Sequence, residues 1–137
     1  MHRLATSSSW RFPWTEVATA LQALTGPHRI HHYIRDGKPL STTLGGQAEM
    51  IEAGRQTDES QEIYSFIYHC YEGIGETKIT APNGVETVVQ WERSDTFAVP
   101  AWSKISHLNK NDEVPAYLFA INDRPLLENL HFLKNID

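Results

Sequence analysis

A succession of short β-type segments limits most strongly what this chain can fold into. From residue 29 onward, eight runs rich in β-branched or aromatic residues alternate with turn formers. The runs cover residues 29–34, 48–53, 62–71, 76–80, 85–91, 97–100, 104–109 and 116–121. Short strands at this spacing are typical of an antiparallel sandwich or barrel, so the sequence predicts an all-β fold.

A helix is predicted ahead of the first strand. Val17 and Leu21 lie four residues apart within residues 14–24, as on one face of a helix. Thr15 is its candidate N-cap, and Gly26 follows as the stop signal.

The two ends of the chain differ in character. Residues 1–9 contain three consecutive serines and read as a flexible lead-in, whereas residues 124–130 read as a last short helix. Asp123 is the candidate N-cap of that helix. We expect residues 10–137 to form a single domain, since the 137-residue chain is short for two.

Charge and cysteine content exclude several classes of function. Seventeen acidic and 12 basic residues give a net charge of -5, and no basic run is long enough to follow a phosphate backbone. The single cysteine, Cys70, excludes an internal disulfide and a multi-cysteine zinc site. No apolar stretch is of membrane-spanning or signal-peptide type. The sequence predicts a cytoplasmic protein that binds neither nucleic acid nor membrane.

Two glycines, a proline and an asparagine occur at the spacing of a known pair of sequence motifs. Gly54 and Gly73 flank the first block, and Pro100 and Asn109 occur in the second. Their spacing resembles that of the two cupin motifs. The resemblance implies a single antiparallel cupin (jelly-roll) β-barrel, with the predicted helices at its two ends.

The positions at which cupins carry metal ligands hold other residues here. In place of three histidines and a glutamate, the sequence has Ser60, Glu62, Phe66 and Ile105. Serine is a poor ligand for iron(II), and phenylalanine and isoleucine are no ligands. A catalytic iron needs about three protein ligands with open positions beside them. The sequence therefore predicts no metal cofactor, with iron(II) as the alternative.

Further markers cover most of the chain. They are Phe12-Pro13-Trp14, Thr57, Glu-Gly-Ile-Gly at residues 72–75, Asp-Thr-Phe-Ala-Val-Pro-Ala-Trp at residues 95–102 and Leu-Phe-Ala-Ile-Asn-Asp-Arg-Pro at residues 118–125. With them, residues 10–134 resemble the C-terminal cupin half of gentisate 1,2-dioxygenase and of its salicylate and 1-hydroxy-2-naphthoate relatives. The resemblance implies a bicupin setting, in which an iron(II) held by three histidines of the N-terminal cupin binds an aromatic hydroxy acid and dioxygen. This chain resembles the half that often lacks iron.

A displaced site is a second interpretation. By strand parity, Glu62 and His107 are predicted to meet inside the barrel mouth, as weak candidates for catalysis or as a hydrogen-bonded pair. His69 is predicted to face outward. His31 and His32 are adjacent on a strand, so they point to opposite faces and do not chelate one ion together.

Aromatic residues are predicted to line the interior. The candidates are Phe66, Tyr68, Trp91 and Trp102, with Tyr64 at the edge and Cys70 in the core. These rings either fill the barrel or leave a slot for a flat small molecule. In the second case, Ser60, Glu62, Ile105 and His107 complete the ligand-binding set, and the polar members meet the polar group of the ligand.

The sequence predicts a metal-free, degenerate gentisate dioxygenase-like cupin that binds a small, aromatic acid or serves as an accessory module. The alternatives are a ring-cleaving dioxygenase-type enzyme and a metal-independent enzyme using Glu62 and His107. A third is that the chain is half of a longer bicupin and has a structural role. A homodimer is expected, because open sheet edges and apolar faces need covering.

Overall fold

A computed structural model describes residues 10–130, so the predicted lead-in at residues 1–9 lies outside the described residues. The described part contains two helices and nine strands. They are α1 (Trp14–Ala23), β1 (His28–His32), β2 (Gly45–Ile51), β3 (Ser60–Gln61), β4 (Phe66–Glu72), β5 (Ile74–Thr80), β6 (Glu86–Glu92), β7 (Thr96–Val99), β8 (Lys104–Asn109), β9 (Ala116–Asn122) and α2 (Arg124–Asn129). The predicted all-β class and both short helices are confirmed.

The strands form two antiparallel sheets. The larger has the order β1-β2-β9-β4-β7, and the smaller has the order β3-β8-β5-β6. Together they make a jelly-roll-like sandwich, and in the described part no hydrogen-bonded ladder joins the sheets into a closed barrel. Their facing sides enclose the main hydrophobic core. That core includes Ile51, Phe66, Tyr68, Trp91, Phe97, Ile105 and Leu118.

Strand β2 is buried along its whole length because it is covered on both faces. Helix α1 packs Val17 and Leu21 against Ala48 and Met50 on the outer face. Glu49 alternates with these two residues and therefore points into the space between the sheets. Burial on both faces removes the usual apolar–polar alternation from this strand.

Local corrections concern the helix caps and one strand start. Pro13, not Thr15, occupies the N-cap position of α1. Asp123 does stand at the N-cap of α2, but its carboxylate accepts a hydrogen bond of 2.9 Å from the Ser65 N–H instead of capping the helix. The strand predicted from residue 62 begins only at Phe66, because residues 62–65 form an irregular link after β3.

Glycine and polar residues occupy the turns, in keeping with the turn formers between the predicted strands. Gly73 joins β4 to β5 with φ 120°, and Gly84 lies between β5 and β6 with φ 86°. Ser94 takes φ 75° between β6 and β7. Neither helix within residues 10–130 has the length and apolar character to cross a membrane.

Candidate functional site

A buried carboxylate is the centre of a polar network between the sheets. Glu49 on β2 is 1% exposed, and its Oε1 lies 2.5 Å from Nε2 of His28 on β1. Nε2 of His107 on β8 lies 3.9 Å from the same oxygen. The side-chain amide of Gln47 donates to Oε2 at 2.9 Å. Two imidazoles and one amide therefore converge on a single carboxylate.

The network continues through the smaller sheet. Nδ1 of His107 lies 2.7 Å from Oγ1 of Thr77 on β5. The indole N–H of Trp91 on β6 donates to the same hydroxyl oxygen at 2.9 Å. The backbone N–H of His107 donates to Oγ1 of Thr57 at 2.8 Å. Polar contacts thus run from Glu49 in the larger sheet to Trp91 in the smaller sheet.

The environment fixes the charge of the central groups. Burial raises the pKa of Glu49. The hydrogen bond with His28, the charges of His107 and His28, and the amide of Gln47 lower it by more, so the pKa of Glu49 is about 2. Burial lowers the pKa of His107 to about 4 against the opposing charge of Glu49. Near pH 7 the carboxylate is therefore ionised and His107 is neutral. Burial, with the charge and hydrogen bonding of Glu49, holds the pKa of Tyr68 well above its ordinary value.

Aromatic rings occupy the rest of the interior. Ring centroids are 5.2 Å apart for Tyr64 and Phe66, 5.4 Å for Phe66 and Tyr68, and 5.2 Å for Tyr68 and Phe97. The ring of Tyr68 also meets His107 edge-on at 5.0 Å. All five side chains are buried. Of the two interpretations, the packing favours rings that fill the interior over an open slot.

The four positions of the family's metal ligands do not fit an iron ion. Ser60 pairs with Ile105 in the ladder between β3 and β8, but Ser60 is exposed whereas Ile105 is a buried hydrocarbon. Phe66 is also buried, and Glu62 is exposed. Within residues 10–130, no three His, Cys, Asp or Glu side chains are grouped to hold a metal ion. The donor set at these positions offers one carboxylate and one hydroxyl.

The predicted contact between Glu62 and His107 is wrong. His107 is 2% exposed and pairs with Glu49 and Thr77, whereas Glu62 lies outside any strand on the surface. Strand parity does not extend through the irregular link that carries Glu62. Burial and the neighbouring Glu62 carboxylate raise the pKa of Tyr64 to about 12.

Of the other residues singled out in the sequence, some are buried and others are exposed. Trp91 is buried, as expected of an interior residue, but Trp102 is 51% exposed with φ 67°. The outward direction of His69 is confirmed, since it bonds to Oγ1 of Thr96 at 3.0 Å on the exposed side. His32 is exposed and His31 is half-buried.

Cys70 lies in the core, as predicted. Burial raises the pKa of its thiol to about 11, so the thiolate that a nucleophile requires is scarce near pH 7.

A surface cleft of about 330 Å³ lies beside the network. It lies between the start of β2, the segment that follows β1, and helix α2. Its walls include Tyr33, Tyr64, Gln47, Arg124 and Glu128. Gln47 is shared by the cleft and the network, so it connects the surface to Glu49.

Sequence reasoning missed His28, Glu49 and Thr77. The available signal was an acidic residue in the otherwise uncharged run Gly-Gly-Gln-Ala-Glu-Met-Ile of β2. A carboxylate inside a buried strand needs partners, and the partners on β1 and β8 are visible only once the sheets are assembled.

Comparisons with known proteins show which proteins this chain is similar to. The chain is 31% identical, over an alignment of 130 residues, to a 5-aminosalicylate 1,2-dioxygenase of a Comamonas species. The alignment covers 88% of this chain and 33% of that relative. This chain has a cupin-like jelly-roll fold, and it is homologous to part of that dioxygenase. It spans about a third of the length of the curated relative, and no family model matches it.

Solved structures share the fold of this cupin domain. A salicylate 1,2-dioxygenase from Pseudoaminobacter salicylatoxidans, with gentisate adducts, matches with a TM-score of 0.75 and 24% identity. The match covers 88% of the cupin domain and 35% of that chain. Peruvianin-I, a cysteine peptidase from Thevetia peruviana latex, matches with a TM-score of 0.68 and 16% identity over 89% of this chain and 76% of its own. At these identities the likeness concerns the fold alone.

Proposed function

We propose that this cupin domain is a metal-free accessory module that binds a small, aromatic acid. The observation that carries the proposal is the content of its interior. Hydrogen-bonded side chains centred on Glu49, together with buried aromatic rings, fill the space between the sheets. The four family ligand positions hold residues that do not form an iron site.

The same network argues against a metal-independent enzyme built on Glu62 and His107. A general acid or base must reach its substrate, and His107 is 2% exposed with Nδ1 engaged by Thr77. Glu62 lies on the surface and makes no hydrogen bond to His107 in the described part of the chain. The imidazole thus serves internal hydrogen bonding, which favours a single arrangement of the buried side chains.

The aromatic-acid part of the proposal comes from the relatives. Their names contain 5-aminosalicylate and salicylate, and one of their structures carries gentisate adducts. These compounds are single-ring carboxylic acids. Because the domain spans about a third of such a relative, we propose that it supports a catalytic cupin, either in a longer polypeptide or through an assembly with other chains. A cytoplasmic homodimer remains our expectation for the chain itself.

Oxygen uptake together with ligand titration tests this proposal. The purified chain, loaded with iron(II), is assayed for oxygen consumption with salicylate, 5-aminosalicylate and gentisate. Tryptophan fluorescence is followed while each acid is added in the absence of metal. We expect saturable fluorescence changes without oxygen uptake. Iron-dependent ring cleavage would contradict the accessory role, and the absence of any binding at millimolar acid would contradict the ligand assignment.

A further inference from the structure

We infer that the cleft beside α2 binds the ligand, with Arg124 as the partner of its carboxylate and Gln47 as the partner of a ring hydroxyl. The inference rests on the proposed function and names the site and the ligand chemistry. The interior of the sandwich is filled, so a ligand has to be held elsewhere. The cleft volume of about 330 Å³ is at the lower end of small-molecule sites and matches a single-ring compound.

Arg124 is positioned as an anion partner at the edge of this cleft. Its Nε donates to Oε1 of Glu128 at 2.8 Å, and its guanidinium carbon lies 5.9 Å from the ring centroid of Tyr64. These two neighbours orient the guanidinium plane. A guanidinium has five N–H donors, so further donors remain for a ligand carboxylate after the hydrogen bonds to Glu128 and Tyr64. The Arg124 side chain is 51% exposed, which lets a ligand reach it from solvent.

The walls suit a flat ring. Tyr33 and Tyr64 supply aromatic surface, and Pro39 and Pro125 supply apolar edges without flexible side chains. Gly46 brings the backbone of β2 close to Tyr33, since a Cβ atom there would lie 3.0 Å from Cδ2 of Tyr33.

Gln47 provides the polar contact at the floor. Its amide nitrogen donates to Oε2 of Glu49, which orients the side chain. The amide oxygen is an acceptor, and an aromatic hydroxyl next to a carboxylate is the matching donor. A ligand bound in this way also contacts the buried network through one residue. This connection predicts that binding alters the emission of Trp91, which ends the network.

Glu128 competes with a ligand carboxylate for Arg124. It lines the cleft and pairs with Arg124, so the ligand has to share the guanidinium with Glu128 or displace Glu128 from it. Substitutions at Arg124 and Glu128 are therefore expected to have opposite effects on ligand affinity. Removing the charge of Arg124 weakens binding, and removing the charge of Glu128 strengthens it.

Nuclear magnetic resonance titration of the full chain with salicylate tests the inference. Amide shifts are recorded for the native chain, R124Q and E128Q, with R93Q and E113Q as controls that make the same charge changes at exposed positions outside the cleft. Salicylamide serves as the uncharged analogue, and thermal melts check that each variant is folded. We expect the largest shifts at Gly45, Gly46 and Gln47, and a Kd for salicylate raised roughly tenfold in R124Q.

The remaining outcomes separate the two proposals. We expect E128Q to lower the Kd by a few-fold, both controls to match the native chain, and salicylamide to bind more weakly than salicylate. Unchanged affinity in folded R124Q, or shifts confined to other surfaces, would overturn the cleft assignment and leave the accessory role standing. No shift anywhere at millimolar salicylate would overturn both the cleft assignment and the aromatic-acid part of the proposed function.

Discussion

His28 and Glu49, on the neighbouring strands β1 and β2, are joined by a hydrogen bond of 2.5 Å between Nε2 and Oε1. The carboxylate is 1% exposed, whereas the imidazole side chain is 26% exposed. The pair thus links a buried anion to a residue at the edge of the sheet. Because His107 and Gln47 approach the same carboxylate, its ionised form is stabilised from three sides.

Replacing Glu49 by Gln tests how much the fold depends on this anion. The substitution removes the charge and adds donor hydrogens where Gln47 already donates. We expect the free energy of unfolding to fall by about 2–4 kcal/mol, because one partner of a buried network is lost. Urea unfolding measures the change. The matched surface variant Glu113→Gln should stay within about 0.5 kcal/mol of the native chain, and an equally small effect of Glu49→Gln would contradict the account.

Stability should fall as the pH is lowered. The pKa of His107 drops from its ordinary 6.5 to about 4, so between these values the unfolded chain binds the proton and the folded chain does not. The pKa of Glu49 drops from 4.5 to about 2, which has the same sign at lower pH. Stability is therefore full above about pH 6.5 and declines below it, by on the order of 3 kcal/mol down to pH 4 from His107 alone.

Urea midpoints measured from pH 7 to 4 follow this decline. His107→Gln should flatten the profile between pH 6.5 and 4, since it removes the group whose protonation is suppressed on folding. His69→Gln serves as the control, because His69 contacts Thr96 on the exposed side of the sheet. A profile that His107→Gln leaves unchanged would mean that other groups set the pH dependence.

Thr77 connects the histidine to the tryptophan. Thr77→Val keeps the side-chain shape but leaves Nδ1 of His107 and the indole N–H of Trp91 without their shared partner. We expect a loss of about 2 kcal/mol and a shift in tryptophan emission. Thr87→Val, at an exposed position of β6, is the matched control. Native stability and emission in Thr77→Val would show that the hydroxyl has no structural role.

Gly75 permits the close packing of Trp91. A Cβ atom at this position would lie 2.2 Å from the carbonyl oxygen of Leu108 and 2.5 Å from Cη2 of Trp91. Gly75→Ala should therefore destabilise the domain by about 3 kcal/mol or prevent folding, as measured by thermal melting. Gly84→Ala has open space but φ 86°, and should cost only about 1 kcal/mol. Equal effects of the two substitutions would contradict the packing argument.

The sequence was sufficient for the architecture because its cues are local. Turn residues such as Gly84 and Ser94 marked the strand ends, and alternation in β4 placed Phe66, Tyr68 and Cys70 inside. Parity failed at Glu62, because a segment without regular strand geometry does not alternate.

The network required the assembled sandwich. Glu49 lies on β2, and its contacts come from β1 and β8, which are distant in the sequence. Because both faces of β2 are buried, its sequence has no apolar–polar alternation that would indicate the direction in which Glu49 points. Which acid pairs with His107 was therefore not readable from spacing, and the sequence led to Glu62 instead.

Cobalt(II) titration of the metal-stripped chain tests the central claim most directly, that the side chains around Glu49 form a hydrogen-bonded network and not a metal site. Cobalt(II) reports coordination by histidine and carboxylate through its visible absorption. The account predicts no saturable visible band at equimolar cobalt. A stoichiometric band in the native chain that disappears in His107→Gln would contradict it.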